Sequence, residues 1–233
     1  MAAILVGGSG SRLRSCVSDR PKALAPIRGR AFLAYLLDHI AAAGVREVVL
    51  CTCYLGDQIE RTFGGSYGSL RLTYSHEPSA LGTGGALRLA AAKIDSDPVF
   101  VFNGDSFFDI DLVEFWRWHQ RCGAQATIAL AQVADGSRYG RVEVDSRGAV
   151  VAFHEKPSGP SKGWINAGTY VLAHRLLQSI PSDRVVSLET ELFPSWMGRG
   201  LYGCPMAGRF IDIGTPHEYG FAEQFFQGGP RDG

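Results

Sequence analysis

The sequence predicts a single α/β domain with a doubly wound, Rossmann-like and mainly parallel sheet that carries an antiparallel or mixed extension. Strand-like and helix-like segments alternate four times within roughly the first 100 residues, a pattern typical of right-handed βαβ crossovers. Residues 2–6 form a short apolar run, as expected for a strand buried on both faces. The second half contains strand-like runs separated by turns, which indicates antiparallel or mixed pairing at the edge of the same sheet.

The elements of the first half follow from apolar spacing and from glycine positions. Within residues 32–44, apolar side chains recur at helical spacing, and Gly44 suits the position after the helix end. These side chains are Leu33, Leu36, Leu37 and Ile40. We expect further strands at residues 47–52, 70–74 and 99–102, and further helices at residues 57–63 and 85–94.

The second half is expected to complete one domain that covers residues 1–226. Its predicted strands lie at residues 124–133, 140–144, 150–153 and 165–172. Its predicted helices lie at residues 174–180, 187–197 and 216–226. The tail, residues 227–233, is rich in glycine, and we expect it to be disordered.

Composition and charge exclude several classes of protein. Of the 233 residues, 45% are hydrophobic and 20% are charged, which is ordinary for a globular domain. Lys plus Arg and Asp plus Glu both number 23. A general nucleic-acid binder or a membrane-surface protein usually carries a basic excess, so neither kind of partner is expected. No apolar run approaches the roughly 18 residues of a membrane helix, and no signal-peptide pattern opens the chain.

The cysteines indicate a reducing compartment. There are five, an odd number, and the Cys51-x-Cys53 spacing matches neither a redox motif nor a zinc site. We expect buried free thiols and therefore a cytoplasmic location.

The turn after the first strand is rich in glycine and reads Gly7-Gly8-Ser9-Gly10-Ser11-Arg12. Successive backbone N–H groups in such a turn form a nest that binds anions. Open α/β sheets bind ligands at the carboxyl ends of their parallel strands, which is where this turn stands. A Walker A loop is absent, and the dinucleotide fingerprint fails because Leu13 stands where its third glycine belongs.

Cations are concentrated directly after this turn. Six Lys and Arg residues fall between positions 12 and 30, against one acid, Asp19. They are Arg12, Arg14, Arg20, Lys22, Arg28 and Arg30. A glycine nest followed by cations indicates a polyphosphate ligand. We expect Arg12 and Lys22 to contact it, whereas Arg14, Arg28 and Arg30 should face solvent.

The glycine-rich turn followed by Pro21-Lys22 resembles the signature of the sugar-1-phosphate nucleotidyltransferase family. Val6 and Ser11 replace the usual alanine and threonine, although serine keeps the hydroxyl. The resemblance extends over about residues 2–226 and implies the nucleotide-diphospho-sugar transferase fold, with a nucleotide-binding half near 1–110 and a sugar-phosphate half near 111–226. It also implies Mg²⁺ as cofactor and a nucleoside triphosphate and a sugar 1-phosphate as substrates. The resemblance does not decide whether the protein forms a homo-oligomer.

Two aspartates are implied to bind the metal ion. Asp105 follows the apolar strand at residues 99–102, and Asp212 precedes a Gly-Thr-Pro turn. Mg²⁺ favours one or two carboxylates together with phosphate oxygens and water. Capping the helix near Pro216 is the other role open to Asp212, although Thr215 is better placed for it. The residues implied to be catalytic are Arg12, Lys22 and Asp105.

Residues 76–86 resemble the base-binding loop and the following helix of this family. Guanine presents N1–H and N2–H₂ as adjacent donors, which one carboxylate accepts, so Glu77 favours GTP. Uracil and thymine present one donor between acceptors and suit an amide better. The implied nucleotide-binding residues are Leu5, Gly7, Gly8, Ser9, Gly10, Ser11, Arg12, Glu77, Gly82, Thr83 and Asn103.

Three later segments resemble the sugar-phosphate side of the family. They imply that the sugar 1-phosphate is bound by Gly140, Glu155, Lys156 and Asn166. Residues 187–194 resemble the heptose-1-phosphate guanylyltransferase branch, as do residues 81–85 and 103–106. A plain helix that Ser187 caps would give the same pattern.

Transfer of GMP from GTP to D-glycero-D-manno-heptose 1-phosphate is the function that these resemblances favour. A mannose-1-phosphate guanylyltransferase and a uridylyl- or cytidylyltransferase remain open, as does a nucleotide-binding module without catalysis. The joint presence of Asp105 and Asp212 favours an enzyme, because a protein that only binds a nucleotide has no need of both.

Overall fold

The structure, a computed structural model of the chain, describes residues 1–8, 10–133, 135–154, 163–182 and 184–227. The strands are β1 (Ala2–Leu5), β2 (Pro26–Ile27), β3 (Arg30–Ala31), β4 (Glu47–Thr52), β5 (Ser66–Tyr67), β6 (Leu70–His76), β7 (Val99–Asn103), β8 (Ser106–Asp109), β9 (Ala126–Gln132), β10 (Arg141–Val144), β11 (Val150–His154), β12 (Trp164–Leu172), β13 (Leu201–Pro205) and β14 (Arg209–Asp212). The helices are α1 (Phe32–Ala42), α2 (Gly56–Phe63), α3 (Gly82–Ala90), α4 (Leu112–Arg121), α5 (His174–Ser179), α6 (Phe193–Trp196) and α7 (Pro216–Phe225). Short 3₁₀ turns lie at Ser11–Leu13, Lys22–Leu24 and Ala91–Lys93, and a π-helical turn lies at Leu188–Leu192.

The centre of the main sheet is parallel. β1 pairs in parallel with β4 on one side and with β7 on the other, and β6 pairs in parallel with β4. The long strand β12 joins antiparallel to β7, β9 and β10, while β9 pairs in parallel with β13. The predicted parallel sheet with a mixed extension is therefore confirmed.

Helices cover both faces of this sheet. Leu33 of α1 and Phe115 of α4 belong to one buried cluster, and Ala86 of α3 belongs to a second. Within β1, Ile4 lies in the first cluster and Ala3 in the second, because successive side chains of a strand point to opposite faces. The sheet is thus doubly wound, as its apolar first strand predicts.

The sequence pattern missed helix α4. Its buried residues Leu112, Phe115 and His119 fall at i, i+3 and i+7, so the helical period was present in the sequence and was not assigned. A second local signal for helix α4 lies at its N-terminus. The Asp111 side chain accepts hydrogen bonds from the backbone N–H groups of Val113 and Glu114 at 2.8 and 3.0 Å, which makes it an N-cap.

A second missed feature is the two-stranded sheet of β8 and β14. The strands are antiparallel, and Asp212 lies opposite Ser106. Only tertiary structure brings these distant segments together, so no local pattern announces the pairing. Its consequence is that Asp212 lies at the end of β7, beside Asp105.

Two predicted helices have different limits. Helix α3 begins at Gly82 rather than at residue 85, and the N–H groups of Gly84 and Gly85 donate to the Val186 carbonyl oxygen at 2.9 and 3.3 Å. The helix expected at residues 187–197 consists of the π-helical turn and α6. Residues 228–233 of the expected tail lie outside the described residues.

Two smaller expectations concern membranes and thiols. Among the helices of the described residues, none is both long and apolar enough to cross a membrane. All cysteines are free. Cys51 and Cys204 are buried as expected, Cys53 and Cys122 are half-buried, and Cys16 is exposed.

Candidate active site

The candidate site lies where β1 and β7 end. The two strands are in register with Leu5 opposite Asn103, so the turns that follow them leave the sheet side by side. The Gly104 N–H donates to the Leu5 carbonyl oxygen at 2.9 Å and holds the two turns together. The glycine-rich turn therefore starts next to Asp105. Ser9, one of the predicted nucleotide-binding residues, lies outside the described residues.

An ion pair marks the centre of the site. The Lys22 Nζ donates to the Asp105 Oδ2 at 2.6 Å, and the side chains of Lys22 and Asp105 are 12% and 33% exposed. Lys22 begins a 3₁₀ turn directly after Pro21. Two of the three predicted catalytic residues, Lys22 and Asp105, are thus in direct contact. Arg14, Arg28 and Arg30 are exposed, as expected for solvated cations.

Asp212 stands beside this pair. The Ser106 hydroxyl lies 3.4 Å from both Asp105 Oδ1 and Asp212 Oδ2, and the Gly214 N–H donates to Asp212 Oδ1 at 2.5 Å. Burial, and second the charge of Asp105, raise the pKa of Asp212 to about 6. Two carboxylates held this close favour a cation between them. Thr215, rather than Asp212, caps α7.

Arg12 adds a second cation at the same place. A Cβ atom built on Gly214 would lie 3.4 Å from Arg12 Nη2, so the guanidinium packs against the turn that carries Asp212. Its positive charge, like that of Lys22, opposes the rise in the pKa of Asp212. Arg12, Lys22, Asp105 and Asp212 therefore form one cluster of two cations and two carboxylates.

A cavity of about 240 Å³ extends from Asp105 along the glycine-rich turn. It is lined by Leu5, Gly7, Gly8, Glu77, Ala80, Gly82, Thr83, Ala86, Asn103 and Asp105. The lining contains most of the residues predicted to bind the nucleotide. Gly10, Ser11 and Arg12 lie outside it, on the part of the turn that continues towards Lys22.

Glu77 lines the same cavity as Asp105. Its Oε2 accepts from the Leu81 N–H at 2.9 Å, and burial raises its pKa above the ordinary range for a carboxyl. A Cβ atom on Gly7 would lie 2.7 Å from Glu77 Oε1. Glycine at position 7 therefore keeps open the space between the turn and this carboxylate.

Thr83 lines the cavity, but its hydroxyl already has protein partners. It donates to Glu189 Oε2 at 2.8 Å and accepts from the Leu188 N–H at 2.8 Å. The same Glu189 oxygen accepts from the Ser187 hydroxyl at 3.0 Å. The hydroxyl thus ties helix α3 to the π-helical turn. Glu189 has no distinctive local sequence signal, because only the fold brings it against Thr83.

Two of the residues predicted to bind the sugar 1-phosphate, Gly140 and Asn166, are adjacent. The Asn166 N–H donates to the Gly140 carbonyl oxygen at 2.8 Å. The Asn166 amide is also engaged, since Nδ2 donates to the Tyr170 hydroxyl and Oδ1 accepts from the Gly168 N–H, both at 3.0 Å. Glu155 and Lys156 lie outside the described residues.

Arg138 binds the N-terminal end of helix α7. It donates to Glu218 Oε1 at 2.7 Å and to the Thr215 hydroxyl at 3.2 Å, and it precedes Tyr139, whose ring packs edge-on against Phe210. Burial, and second the charge of Asp212, raise the pKa of Tyr139 to about 12. The sequence analysis assigned no role to Arg138, whose partners come from α7.

The donor set suits a metal ion that arrives with phosphate. Within the part of the chain that the structure describes, no group of three or more His, Cys, Asp or Glu side chains could hold a metal ion. Asp105 and Asp212 supply hard oxygen ligands, which Mg²⁺ combines with phosphate oxygens and water. The raised pKa of Asp212, caused first by burial and second by the charge of Asp105, fits such a role.

Comparison with known proteins identifies relatives along nearly the whole chain. The profile of the nucleotidyl transferase family matches residues 1–227. A mannose-1-phosphate guanylyltransferase of Mycobacterium tuberculosis is 40% identical over 222 residues, which are 94% of this chain but 62% of that protein. The chain thus spans less than two thirds of this relative.

Other relatives match from end to end. A D-glycero-alpha-D-manno-heptose 1-phosphate guanylyltransferase of Aneurinibacillus thermoaerophilus is 38% identical over 228 residues, which cover 97% of this chain and 98% of that protein. The crystal structure of HddC from Yersinia pseudotuberculosis complexed with GMP-PN has a TM-score of 0.85 and 30% identity, and covers 97% of this chain and 99% of that chain.

Proposed function

The chain belongs to the nucleotidyl transferase family, and we propose that it transfers GMP from GTP to D-glycero-D-manno-heptose 1-phosphate, releasing pyrophosphate. The observation that carries this proposal is the Lys22–Asp105 ion pair, whose aspartate lines one cavity together with Gly7 and Gly8 of the glycine-rich turn and with Glu77. A nucleotide laid along the glycine-rich turn has its phosphates at the ion pair and its base at Glu77. The end-to-end match to a heptose 1-phosphate guanylyltransferase supports the same substrates.

Glu77 supports guanine as the base. A carboxylate accepts hydrogen bonds only, and guanine offers adjacent N1–H and N2–H₂ donors. Oε2 already accepts from Leu81, which orients the group so that Oε1 faces the space above Gly7. These donors would also stabilise the ionised form of a carboxyl whose pKa burial raises.

Asp105 and Asp212 are the residues that would hold a divalent metal ion, which this family generally uses, and we propose Mg²⁺. A bound Mg²⁺ stabilises negative charge on phosphate oxygens and orients them. The Ser106 hydroxyl, between the two carboxylates, and the Gly214 N–H keep the aspartates in place.

The chemistry needs no general base from the protein. The second pKa of a phosphate monoester is about 6, so an oxygen of the sugar 1-phosphate is already largely anionic at neutral pH. This oxygen attacks the α-phosphorus of GTP in line. The new P–O bond forms as the bond between the α-phosphorus and the bridging oxygen breaks, and the electron pair leaves with pyrophosphate.

The cations offset the repulsion between the two reactants. Lys22 and Arg12 lie at the point where the attacking phosphate and the α-phosphate must meet. Backbone N–H groups of the glycine-rich turn bind the β- and γ-phosphates. Positioned charges of this kind act mainly on the transition state, where charge develops on the α-phosphate and on the leaving group.

The assignment of residues to the sugar 1-phosphate depends on which groups lie close together. Gly140 and Asn166 are adjacent, and we assign them, with Glu155 and Lys156, to the sugar 1-phosphate. Mannose 1-phosphate is the second candidate acceptor, because the mycobacterial relative is 40% identical. The heptose is preferred because residues 187–194 resemble the heptose-1-phosphate guanylyltransferase branch, and because two relatives with that activity are 38% and 34% identical over 97% and 94% of this chain.

A substrate panel tests the proposal. Pyrophosphate release is measured with Mg²⁺, each nucleoside triphosphate, and the 1-phosphates of mannose, glucose, N-acetylmuramic acid and D-glycero-D-manno-heptose. We expect the highest kcat/KM with GTP and the heptose phosphate. A preference for mannose 1-phosphate would keep the reaction and replace the acceptor. Tight nucleotide binding without pyrophosphate release from any pair would instead indicate a nucleotide-binding module.

A further inference from the structure

One arginine joins two segments to which the proposed function gives different tasks. The Arg138 guanidinium donates to Glu218 Oε1 at 2.7 Å and to the Thr215 hydroxyl at 3.2 Å. Thr215 follows Asp212 by three residues and ends the turn that begins at this carboxylate. Gly140, which follows Arg138 by two residues, is assigned to the sugar 1-phosphate. Arg138 thus connects the segment for the acceptor with the turn for the metal ion.

Each residue of the segment 138–140 is attached to a different element. The arginine binds the start of α7, as described above. Tyr139 packs its ring edge-on against Phe210 of β14, with ring centroids 5.3 Å apart. The Gly140 carbonyl oxygen accepts from the Asn166 N–H of β12 at 2.8 Å. The segment therefore fixes β12 relative to β14 and α7.

The same segment lies beside the charged centre of the site. Burial first, and then the charge of Asp212, raise the pKa of the Tyr139 phenol to about 12, whereas the charges of Arg138 and Arg12 oppose the rise. A neighbouring charge shifts a pKa mainly from within about 6 Å. The phenol therefore lies among the groups proposed to bind the metal ion and the phosphates, and a displacement of the segment would disturb these groups.

The first turn of α7 carries its own capping residues. Residues 215–218 match the Thr-x-x-Glu capping box, in which the glutamate side chain returns to the backbone N–H of the N-cap residue. Thr215 is the N-cap, and its hydroxyl accepts from the Glu218 N–H at 3.5 Å. The Glu218 carboxylate instead accepts from Arg138. The helix thus exchanges a local contact for a tertiary contact that fixes where its N-terminus lies.

We propose that Arg138 is a positioning residue that fixes the acceptor segment against the turn carrying Asp212 and so sets the approach of the sugar 1-phosphate to the α-phosphate. This inference rests on the proposed function and adds a residue to it. The guanidinium is engaged with Glu218 and Thr215, so it acts through these partners and not by contact with a substrate. Partners that orient the groups of a site typically contribute about 10- to 100-fold to activity.

Steady-state kinetics and nucleotide binding test this inference. Arg138→Ala should lower kcat/KM for the sugar 1-phosphate that the wild-type protein uses best by about 10- to 100-fold. The Kd for GTP, measured without sugar phosphate, should stay at the wild-type value, because Arg138 and its partners do not line the cavity proposed for GTP. Arg138→Lys keeps the charge but not the forked pair of hydrogen bonds, and should recover part of the loss. Arg138→Gln replaces the alanine variant if that variant does not fold.

Arg209→Ala is the matched control, because Arg209 joins the same strand and helix at their other ends. Arg209 is the first residue of β14, whereas Asp212 is the last, and its Nη1 donates to the Phe225 carbonyl oxygen at the end of α7 at 2.8 Å. The side chains of Arg209 and Arg138 are 48% and 35% exposed. We expect Arg209→Ala to keep the wild-type kcat/KM even if its Tm falls as far as that of Arg138→Ala.

Four results would overturn the inference. An unchanged kcat/KM in a folded Arg138→Ala variant would show that catalysis does not need this contact. An equal kinetic loss in Arg209→Ala would reduce the effect to general stability. A rise in the Kd for GTP that accounts for the whole loss would assign Arg138 to the nucleotide. Absence of pyrophosphate release by the wild-type protein with every substrate pair would overturn the proposed function itself, and the wild-type assay alone would show this.

Discussion

Lys22 and Asp105 are 83 residues apart in the chain, yet Lys22 Nζ lies 2.6 Å from Asp105 Oδ2. Lys22 is largely shielded from solvent, with 12% of its side chain exposed. Each charge therefore neutralises the other in the absence of ligand. When phosphates occupy the site, the ammonium and the carboxylate have separate tasks. In the proposed reaction, Lys22 would bind phosphate oxygens, and Asp105 would provide an oxygen ligand for a metal ion.

This pairing predicts large kinetic losses. Lys22→Ala and Asp105→Ala should each lower kcat by about 100-fold or more, because both groups act on charge that develops in the transition state. The double variant should lose little beyond either single variant, as expected for residues that act as a unit. Lys93→Ala, which removes an exposed lysine, should keep wild-type kcat. Near-normal turnover of a folded Lys22→Ala variant would rule out its catalytic role.

The raised pKa of Asp212 predicts that replacing this residue increases stability and reduces activity. Folding raises the pKa of Asp212 from 3.8 to about 6. The protonated carboxyl therefore makes its full contribution to stability below the pKa of the unfolded state, and this contribution is lost as the pH rises through the pKa of the folded state. At pH 7 the ionised group therefore destabilises the fold. Asp212→Asn should raise the free energy of unfolding by on the order of 2 kcal/mol without metal, while pyrophosphate release should fall sharply.

Thermal melts in the presence of a chelator check this prediction. The difference in Tm between Asp212→Asn and the wild-type protein should be largest near pH 7. It should shrink towards pH 5, where the wild-type carboxyl becomes protonated. A lower Tm for the variant at pH 7 would contradict the assignment of Asp212 as a destabilised ligand.

Glu77 predicts the base preference. Glu77→Gln replaces one acceptor oxygen with a donor, so kcat/KM for GTP should fall by roughly 10- to 100-fold, the range for hydrogen bonds to charged groups. The ratio of UTP to GTP turnover should rise, because uracil presents a donor flanked by acceptors. Glu114→Gln, on the remote helix α4, provides the matched control. An unchanged nucleotide profile in Glu77→Gln would show that the carboxylate does not contact the base.

Thr83 predicts an effect on stability. Thr83→Val keeps the shape but leaves the N–H of fully buried Leu188 without its acceptor, which should cost about 1–3 kcal/mol. Thr83→Ser keeps the hydroxyl and should recover most of that loss. Chemical denaturation of the three proteins measures the difference. Equal stability of the valine variant and the wild-type protein would mean that this hydroxyl does not hold helix α3 to the π-helical turn.

Local pattern was sufficient for the core of the fold and for one wall of the site. β1, the glycine-rich turn and Asp105 were predicted because an apolar strand and the turn after it are contiguous in sequence. Lys22 was recognised by its place after Pro21, although its ion pair with Asp105 was not predicted. The base-side position of Glu77 followed from resemblance, and its place in the cavity wall agrees.

The remainder depended on contacts that sequence pattern does not encode. Asp212 reaches Ser106 only because β14 pairs with β8. Glu189 reaches Thr83 through a π-helical turn that read as an ordinary helix. No functional role was predicted for Arg138, because its hydrogen-bond acceptors Thr215 and Glu218 lie far along the chain, directly before and within α7. In each case the decisive partner is remote in sequence, and its side chain has no distinctive local spacing.

The central claim is that the phosphates of two substrates meet at Lys22 and Asp105. The most direct measurement follows GTP labelled at the α-phosphate, incubated with D-glycero-D-manno-heptose 1-phosphate and Mg²⁺. We predict that the label appears in a GDP-sugar, with one pyrophosphate released for each molecule formed, and that Lys22→Ala suppresses both products together. Label that remains in GTP, or that is released as GDP without transfer to the sugar, would contradict it.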